Sequence, residues 1–334
     1  MKKLTALLLI AAVVLSLTGC RGFRPKKTDG SDSSGTPETE PQIETVYDYA
    51  DLEKLLNDHA YGWIGGGMDF SRIGSRLYFP NSEYNTSAVL YYDLADGSSG
   101  TLAEDGNNPL SGPPDCAPES VVVGVFPPGS DPLEDLDYAG RTAHIYDLKK
   151  GTLTVLDPYP DFRPLALHDG VLYGVGDSEA DAGKIILADD RGVRIAEIPL
   201  PADMYVERLL PCDAGVYAVV SDAAGEFCEL VGVSGQDIFT LHTVAAGGFF
   251  DGEAFWYAKA VENGAELRRF DLKANMDTVL GSVASVSHIY FAAGQRLYYC
   301  RRLSEAGDIA ILYYDFSTSQ ETEISRDFPA LGGW

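Results

Sequence analysis

Positive charge is scarce in this sequence, and its scarcity excludes one class of partner. The chain has 25 lysine and arginine residues against 50 aspartate and glutamate residues, so its formal net charge at pH 7 is −25. A surface of that sign repels a polyanion such as nucleic acid. We therefore expect no nucleic-acid partner, and we interpret the acidic surface mainly as a source of solubility.

The residue patterns that indicate a catalytic or metal site are also missing. No Gly-x-Ser-x-Gly elbow provides a serine nucleophile, and the histidines show no His-x-His or His-Glu-x-x-His spacing. These histidines are His59, His144, His168, His242 and His288. We expect each to be a surface residue or locally hydrogen-bonded. The sequence leaves enzymatic activity undecided and favours a non-enzyme, with no catalytic residue and no cofactor predicted.

One acidic loop is the best metal-ligand candidate. Asp177, Glu179 and Asp181 alternate with small residues, and such acids can offer several oxygens to Ca²⁺. The segment lacks the central glycine and the closing glutamate of an EF-hand loop. A solvent-exposed acidic hairpin tip explains it as well, and we prefer that interpretation.

The amino terminus has the features of a secretory signal. A basic start, Met1-Lys2-Lys3, precedes an apolar run from Leu4 to Leu17, and the run ends in Leu17-Thr-Gly-Cys20. Spanning a bilayer takes about 20 apolar residues, so the run is short for a transmembrane helix. The last four residues resemble the lipobox of bacterial lipoproteins. That resemblance implies removal of residues 1–19 and diacylation of Cys20; an ordinary signal or an uncleaved anchor is the alternative.

Residues 20–45 are expected to form a flexible tether behind the lipidated cysteine. The segment is rich in Ser, Thr, Gly and Pro, and such a composition cannot bury a core. Its first basic residues would be attracted to anionic headgroups. We therefore expect a lipoprotein of the bacterial cell envelope, held on the extracytoplasmic face of a membrane. Loss of residues 1–19 removes two lysines and no acid, which makes the charge −27.

A repeat organises the remainder of the chain. Six apolar, mostly tyrosine- or valine-rich segments recur about every 40 to 50 residues, a period typical of repeat architectures. They begin at Gly74, Glu119, Asp169, Ala214, Asp251 and Gly294. A second strand, a turn and a third strand follow most of them, and a leading strand precedes several. Four antiparallel strands in this period make one blade of a β-propeller. We predict an all-β domain at residues 46–334 with six four-stranded blades; a seventh blade and an open array are the alternatives.

Aspartate ends the second of these strands in five of the six repeats. The five residues are Asp93, Asp147, Asp189, Asp271 and Asp315. Because a carboxylate at a strand end accepts backbone N–H bonds from a tight turn, we interpret them as turn residues rather than as ligands. Before the first repeat, Leu52, Leu55 and Leu56 fall on one face of a short predicted helix. The glycine-rich residues after it, or the carboxyl terminus, could complete a blade between the two ends.

Cys116, Cys212, Cys228 and Cys300 remain besides Cys20. Two disulfides would be allowed outside the cytoplasm, and Cys212 with Cys228, in one predicted blade, is the most plausible pair. Cys228 and Cys300 lie in apolar strands, where a thiol packs as a small core residue. A domain of this size has a core large enough to be stable without disulfide bonds, so we expect no obligatory disulfide framework.

The phrases LYYDL at 90–94 and LYYDF at 312–316 resemble those of bacterial lipoprotein propellers of unknown function. Those proteins are similar to the YWTD-type propellers of lipoprotein receptors, although no literal Tyr-Trp-Thr-Asp occurs in this chain. The resemblance implies a propeller fold and a binding role without catalysis. It carries over no site residues.

Three functions from different classes follow. The first is a binding module that uses a propeller face or the central hollow to hold a protein, peptide or glycan. Trp63, Trp256 and Trp334 are its aromatic candidates, although most aromatic residues in such strands pack between blades. The second is an accessory subunit of an envelope assembly or sensing complex. The third is a propeller glycan hydrolase or lyase, which a carboxylate pair or a carboxylate–histidine pair near the centre would favour.

Overall fold

The structure is a computed structural model. It describes residues 49–59, 70–80, 88–104, 115–127, 140–176, 183–201, 204–222, 228–234, 237–245, 247–303 and 309–328. The predicted signal peptide, Cys20 and the tether lie outside these residues. The compact unit that contains the described residues is Tyr47–Trp334. Within the described part, no helix is long and apolar enough to cross a membrane.

One helix and 24 strands are described. The helix, α1, is Tyr49–His59. Blade 1 contains β1 (Ser71–Ile73), β2 (Arg76–Pro80), β3 (Ala88–Asp93) and β4 (Ser99–Glu104). Blade 2 contains β5 (Asp115–Ala117), β6 (Ser120–Val125), β7 (Thr142–Asp147) and β8 (Thr152–Leu156). Blade 3 contains β9 (Phe162–His168), β10 (Val171–Gly176), β11 (Lys184–Asp189) and β12 (Arg194–Pro199).

The second half of the ring has the same composition. Blade 4 contains β13 (Met204–Cys212), β14 (Gly215–Asp222), β15 (Cys228–Ser234) and β16 (Asp237–Val244). Blade 5 contains β17 (Phe249–Phe250), β18 (Ala254–Val261), β19 (Gly264–Asp271) and β20 (Met276–Val283). Blade 6 contains β21 (His288–Ala293), β22 (Arg296–Arg302), β23 (Ile309–Asp315) and β24 (Gln320–Phe328).

The strands form six four-stranded antiparallel sheets, and each sheet uses four strands that are consecutive in the chain. The first strand of each blade is the inner one, since β5 contacts β9, β9 contacts β13, and β17 contacts β21. Blade 1 meets blade 6, because Arg72 Nη1 donates to the carbonyl of Ala292 at 3.1 Å. The prediction of a six-bladed β-propeller is confirmed.

Both faces of the blades are buried, which explains why the strands lack clean apolar–polar alternation. Four clusters of buried side chains join blades 1 and 2, 2 and 3, 3 and 4, and 4 and 5. A fifth and larger cluster joins blades 5, 6 and 1 with α1. The hydrophobic core is therefore a series of layers between blades rather than one central mass.

A bulge recurs in the outer half of the blades. The pairing of the third strand with the fourth shifts register by one residue in five of the six sheets. A bulge increases local twist. The shifts therefore increase the local twist where the third and fourth strands of these blades pair.

The repeated aspartates are turn residues, as the sequence predicts. Each accepts a backbone N–H at 2.7–3.0 Å from the residue two or three positions further along. The bond from the Ala274 N–H is the main reason why the pKa of Asp271 is lowered. These bonds fix the conformation of the turns between the third and fourth strands of blades 1, 2, 3, 5 and 6.

Helix α1 packs in the seam where blade 1 meets blade 6. Leu52, Leu55 and Leu56 are 1%, 8% and 0% exposed and belong to the cluster that joins these blades. On the blade 6 side, the Arg296 guanidinium lies 3.8 Å from the ring centroid of Tyr49. The same Arg296 binds Glu53 of the helix at 3.1 Å. The predicted helix and its apolar face are confirmed.

The four described cysteines are buried thiols without a disulfide. The pairing of Cys212 with Cys228 is wrong. Cys212 lies opposite Gly215 at one end of β14, and Cys228 lies opposite Ser221 towards the other end. Six residues of strand span about 20 Å. A disulfide needs Cα atoms within about 7 Å, so strands of one blade can still hold their thiols too far apart.

Candidate functional site

The two ends of the ring differ in their connections. At one end, which we call the turn face, short turns join first to second and third to fourth strands. At the other end, the loop face, lie the links from second to third strands and from blade to blade. Every turn-face connection is described except residues 235–236, whereas several loop-face connections fall outside the described residues.

Four titratable side chains from three blades meet at the turn face. Glu119 and Lys149 come from two turns of blade 2, His168 ends β9 of blade 3, and Asp213 follows β13 of blade 4. Lys149 Nζ donates to Glu119 Oε1 at 2.7 Å and to Asp213 Oδ1 at 2.8 Å. Glu119 Oε2 accepts a hydrogen bond from His168 Nδ1. We call these four residues the turn-face cluster.

Burial and charge in the turn-face cluster change from the inside outwards. The side chains of Glu119 and His168 are 9% and 11% exposed, whereas that of Asp213 is 80% exposed. Partial burial opposes the charged form of Lys149, but the hydrogen bonds to Asp213 and Glu119 outweigh it and raise the pKa of Lys149. The bond from Lys149 in turn lowers the pKa of Asp213. The ammonium is therefore charged at neutral pH.

A metal ion is the first chemical use to consider for the cluster. Ligand atoms of Glu119, His168 and Asp213 lie within 4.8 Å of one another, and these residue types suit a divalent metal. The ammonium of Lys149, however, binds both carboxylates at hydrogen-bond distance. It already supplies the positive charge that a metal would bring. The arrangement therefore fits an ion-pair brace between blades 2, 3 and 4 better than a metal site.

Acid–base catalysis is the second use to consider. A carboxylate–histidine pair near the centre is the arrangement that favours a propeller enzyme, and Glu119 with His168 is such a pair. Both oxygens of Glu119 are engaged, one by His168 and one by Lys149. The other ring nitrogen of His168 lies 3.6 Å from Asp169 Oδ2. A general base needs access to a substrate proton, and in this structure the carboxylate is committed to protein partners.

The centre of the ring is crossed by an arginine. Arg208 extends from β13 of blade 4 and donates to the carbonyl of Gly248 beside blade 5. It also donates to the carbonyl of Cys116 in blade 2 at 3.3 Å. Because blades 2 and 4 are not neighbours in the ring, the guanidinium lies across the central opening at this level. A ligand in the central hollow would have to stop at Arg208 or displace it.

A second polar cluster lies between blades 4 and 5. His242 Nε2 lies 2.7 Å from the hydroxyl of Tyr257, which donates to Asp277 Oδ1 at 3.0 Å. Asp277 also accepts from Arg268, and the His242 ring stacks on Phe270 with 4.8 Å between centroids. Burial, and then the bond to Asp277, raise the pKa of Tyr257, so its hydroxyl stays protonated at neutral pH.

The remaining candidates from the sequence are placed as follows. Asp177, Glu179 and Asp181, Cys20, Trp63 and Trp334 lie outside the described residues. Trp256 is half-buried between blades 5 and 6, stacks on Phe316 and donates its indole N–H to Asp251 at 2.7 Å. It does not line the central opening.

The remaining histidines make local contacts. His144 is buried and its Nε2 lies 3.0 Å from Thr142 Oγ1. His59 ends α1, and His288 contacts Tyr290 edge-on.

The turn-face cluster was missed because its members are far apart in the sequence. His168 is 49 residues from Glu119, and Asp213 is 64 residues from Lys149. A signal was nevertheless present. An acid stands at the first turn of four successive repeats, at Glu119, Asp169, Asp213 and Asp251. Equivalent turns of neighbouring blades converge near the axis of a propeller, so repeated acids there predict a polar cluster.

Comparison with known proteins finds distant structural likenesses and no match in sequence. No known protein family matches the chain, and no curated protein matches it in sequence. The β-propeller domain of the Trilobed protease from Pyrococcus furiosus is 12% identical, with a TM-score of 0.44, over 77% of this chain and 83% of that one. TolB from Acinetobacter baumannii is 11% identical, with a TM-score of 0.42, over 71% of this chain and 59% of that one.

An acylaminoacyl peptidase in complex with a chloromethyl ketone is similar to the same degree. It is 12% identical, with a TM-score of 0.47, over 77% of this chain. The match covers 44% of the peptidase chain, so this chain spans less than half of that protein.

Proposed function

We propose that this protein is a binding module held on the extracytoplasmic face of a bacterial membrane by diacylated Cys20. The turn face is its recognition surface, and its partner is a protein or peptide that presents basic residues. The signal-like amino terminus and the Leu17-Thr-Gly-Cys20 motif support the anchor. The turn face supports the recognition role.

The observation that carries the proposal is a rigid turn face with exposed acids. Aspartate side chains fix five of its turns through backbone bonds, so little conformational entropy is lost there when a partner docks. Exposed carboxylates project from other turns of the same face: the side chains of Asp169 and Asp213 are 75% and 80% exposed. Asp190 and Glu253 are exposed as well. Complementary charge steers association and sets specificity.

Two other recognition modes receive less support. The central hollow is crossed by Arg208, which limits the depth available to a ligand. Glycan stacking needs open aromatic faces, and Trp256 has one face on Phe316 with the Arg269 guanidinium 5.4 Å from its ring centroid. A protein or peptide on the turn face is therefore the partner that we favour among protein, peptide and glycan.

The test is affinity capture of the acylated protein from membranes, with two sets of variants. The first set, Asp169→Asn, Asp190→Asn and Glu253→Gln, neutralises the turn face, and asparagine tolerates the positive φ of 48° at position 169. The control set, Glu262→Gln and Glu323→Gln, removes exposed acids elsewhere. We expect the first set to lose most of the captured partner and the control to retain it. Equal capture by both sets would contradict the proposal.

The same experiment separates a transient binder from an accessory subunit. A partner that remains through high-salt washing at stoichiometric yield would indicate a permanent envelope assembly or sensing complex. A partner lost between 0.05 and 0.5 M salt, a range of concentrations over which surface charges become screened, would indicate a transient contact.

An enzyme is the second candidate, because Glu119 and His168 form a carboxylate–histidine pair. Its class would be a glycan hydrolase or lyase. Turnover of acidic or neutral polysaccharides by the wild type, lost in Glu119→Gln at unchanged stability, would favour the enzyme. Reduced stability of Glu119→Gln without any turnover by the wild type would favour the brace.

A further inference from the structure

A hollow of about 430 Å³ opens between blades 4 and 5. It is lined by the loop-face ends of β16 and β18, by the start of β19 and by residues 285–286. It lies at the end of the blades opposite to the turn face. Its size falls within the range of about 300–1,000 Å³ that is usual for small-molecule sites.

One face of strand β18 borders this hollow on the side of blade 4. Tyr257 belongs to the cluster that joins blades 4 and 5, and Lys259, two residues further along β18, lies on the same face of the strand. Ala258 and Ala265 also border the hollow, but they pack with the cluster that joins blades 5, 6 and 1. The hollow between blades 4 and 5 is therefore bordered by the ring of Tyr257 and the side chain of Lys259.

The deep end of the hollow is fixed in place. Tyr257 lines it and is 1% exposed, and its hydroxyl is held between His242 Nε2 and Asp277 Oδ1. The buried thiol residue Cys228 and the side chain of Val244 complete this end. Because the hydroxyl of Tyr257 donates its hydrogen bond to Asp277, the tyrosine presents its ring to the hollow rather than a free hydrogen-bond donor. This end of the hollow favours an apolar group.

The other side of the hollow carries one positively charged side chain. Lys259 is the single charged residue among the lining residues, in a chain whose net charge is −25. Its cross-strand neighbour Glu266 is bound by Arg268 at 2.7 and 2.9 Å. Among the described residues, no carboxylate forms an ion pair with Lys259. The exposed ammonium can therefore bind an anionic group that comes from outside the protein.

We propose that this hollow binds a medium-chain fatty carboxylate, with the acyl chain between blades 4 and 5 and the carboxylate on Lys259. The combination of an apolar end, formed by Tyr257, Val244 and Cys228, and one ammonium without an acid matches an apolar chain that ends in a single negative charge. This site is independent of the turn face and of the proposed protein partner. A ligand of about 10 non-hydrogen atoms at this site would bind with a Kd of about 1 mM.

The test is calorimetric titration of octanoate and of its neutral analogue octanamide. The protein is the full chain with Cys20→Ala, so that no acyl group of its own competes for the hollow. We expect octanoate to bind about 5- to 10-fold more tightly than octanamide, where tenfold corresponds to 1.4 kcal/mol. Lys259→Met should abolish that preference. Lys273→Met, which removes an exposed lysine from a turn-face connection of blade 5, should leave it unchanged.

A second variant tests the location of the acyl chain. Ala245 is partly exposed just after β16 and lines the hollow, so Ala245→Trp should fill it without replacing a core residue. We expect this variant to keep the circular dichroism spectrum of the parent and to bind neither probe. The proposal is overturned if octanoate shows no saturable binding up to about 5 mM, if octanamide binds equally well, or if folded Ala245→Trp still binds octanoate.

Discussion

Helix α1 closes the ring by filling the seam between blades 1 and 6, and one substitution tests this. Leu56 is fully buried in the cluster that joins both blades. Leu56→Ala removes about three methylene equivalents at about 0.8 kcal/mol each, and a cavity adds to that transfer cost. We expect a loss of about 3 kcal/mol in the free energy of unfolding. Total stabilities of about 5–15 kcal/mol make such a loss easily measurable.

Urea denaturation of the full chain with Cys20→Ala is the assay, with Lys54→Ala as the matched control. Lys54 is exposed on the same helix, and alanine has at least the helix propensity of lysine, so the control should change stability by less than about 0.5 kcal/mol. The two variants should have similar m-values if both unfold in one step. A loss below about 1 kcal/mol for Leu56→Ala, with the same m-value as the control, would refute the role of α1 as the closing element.

Three further predictions concern the turns and the blade packing. Lys149→Met leaves the carboxylate of Glu119 without its cation, so we expect a loss of about 1.5–3 kcal/mol in urea denaturation; a loss no larger than 0.3 kcal/mol would contradict the brace. The pKa of Asp315 is lowered by the hydroxyl and amide groups of its own turn, so its contribution is present above pH about 4 and lost as pH falls below that value. Asp315→Asn should therefore destabilise more at pH 7 than at pH 3, and an equal effect at both would count against this. A Cβ at Gly232 would lie 2.3 Å from the Phe239 ring, so Gly232→Val should lower the thermal midpoint, and Gly232→Val combined with Phe239→Ala should recover part of the loss.

The strands and turns could be predicted from the sequence because their signals are local. LYYDL and its equivalents combine residues that favour strands with an aspartate that fixes the next turn, and each such phrase forms a strand with a capped turn. The apolar face of α1 is equally local, since Leu52, Leu55 and Leu56 fall within two helical turns. Repetition of these units at one period then predicts blades.

Contacts between blades could not be predicted from the same signals. Lys149 bonds Asp213 across 64 residues of chain, and its position depends on how the turns of blades 2 and 4 converge. The pairing of Cys212 with Cys228 failed for a related reason. The two residues do lie in one blade, but β13 and β15 run in the same direction. Cys212 ends β13 whereas Cys228 begins β15, so the two thiols lie at opposite ends of the blade. Arg208 across the centre also depends on the geometry of the closed ring.

We propose that the protein is anchored at a membrane and recognises its partner through the turn face. Photo-crosslinking in membranes tests both parts, with a photoreactive residue in place of Asp190 on the turn face or of Glu262 on the loop face. We expect a discrete crosslinked partner from position 190 and none from position 262. When Cys20→Ala is added, we expect both photoreactive variants to be lost from the membrane fraction. Crosslinking from position 262 alone, or membrane retention after Cys20→Ala, would contradict the proposal.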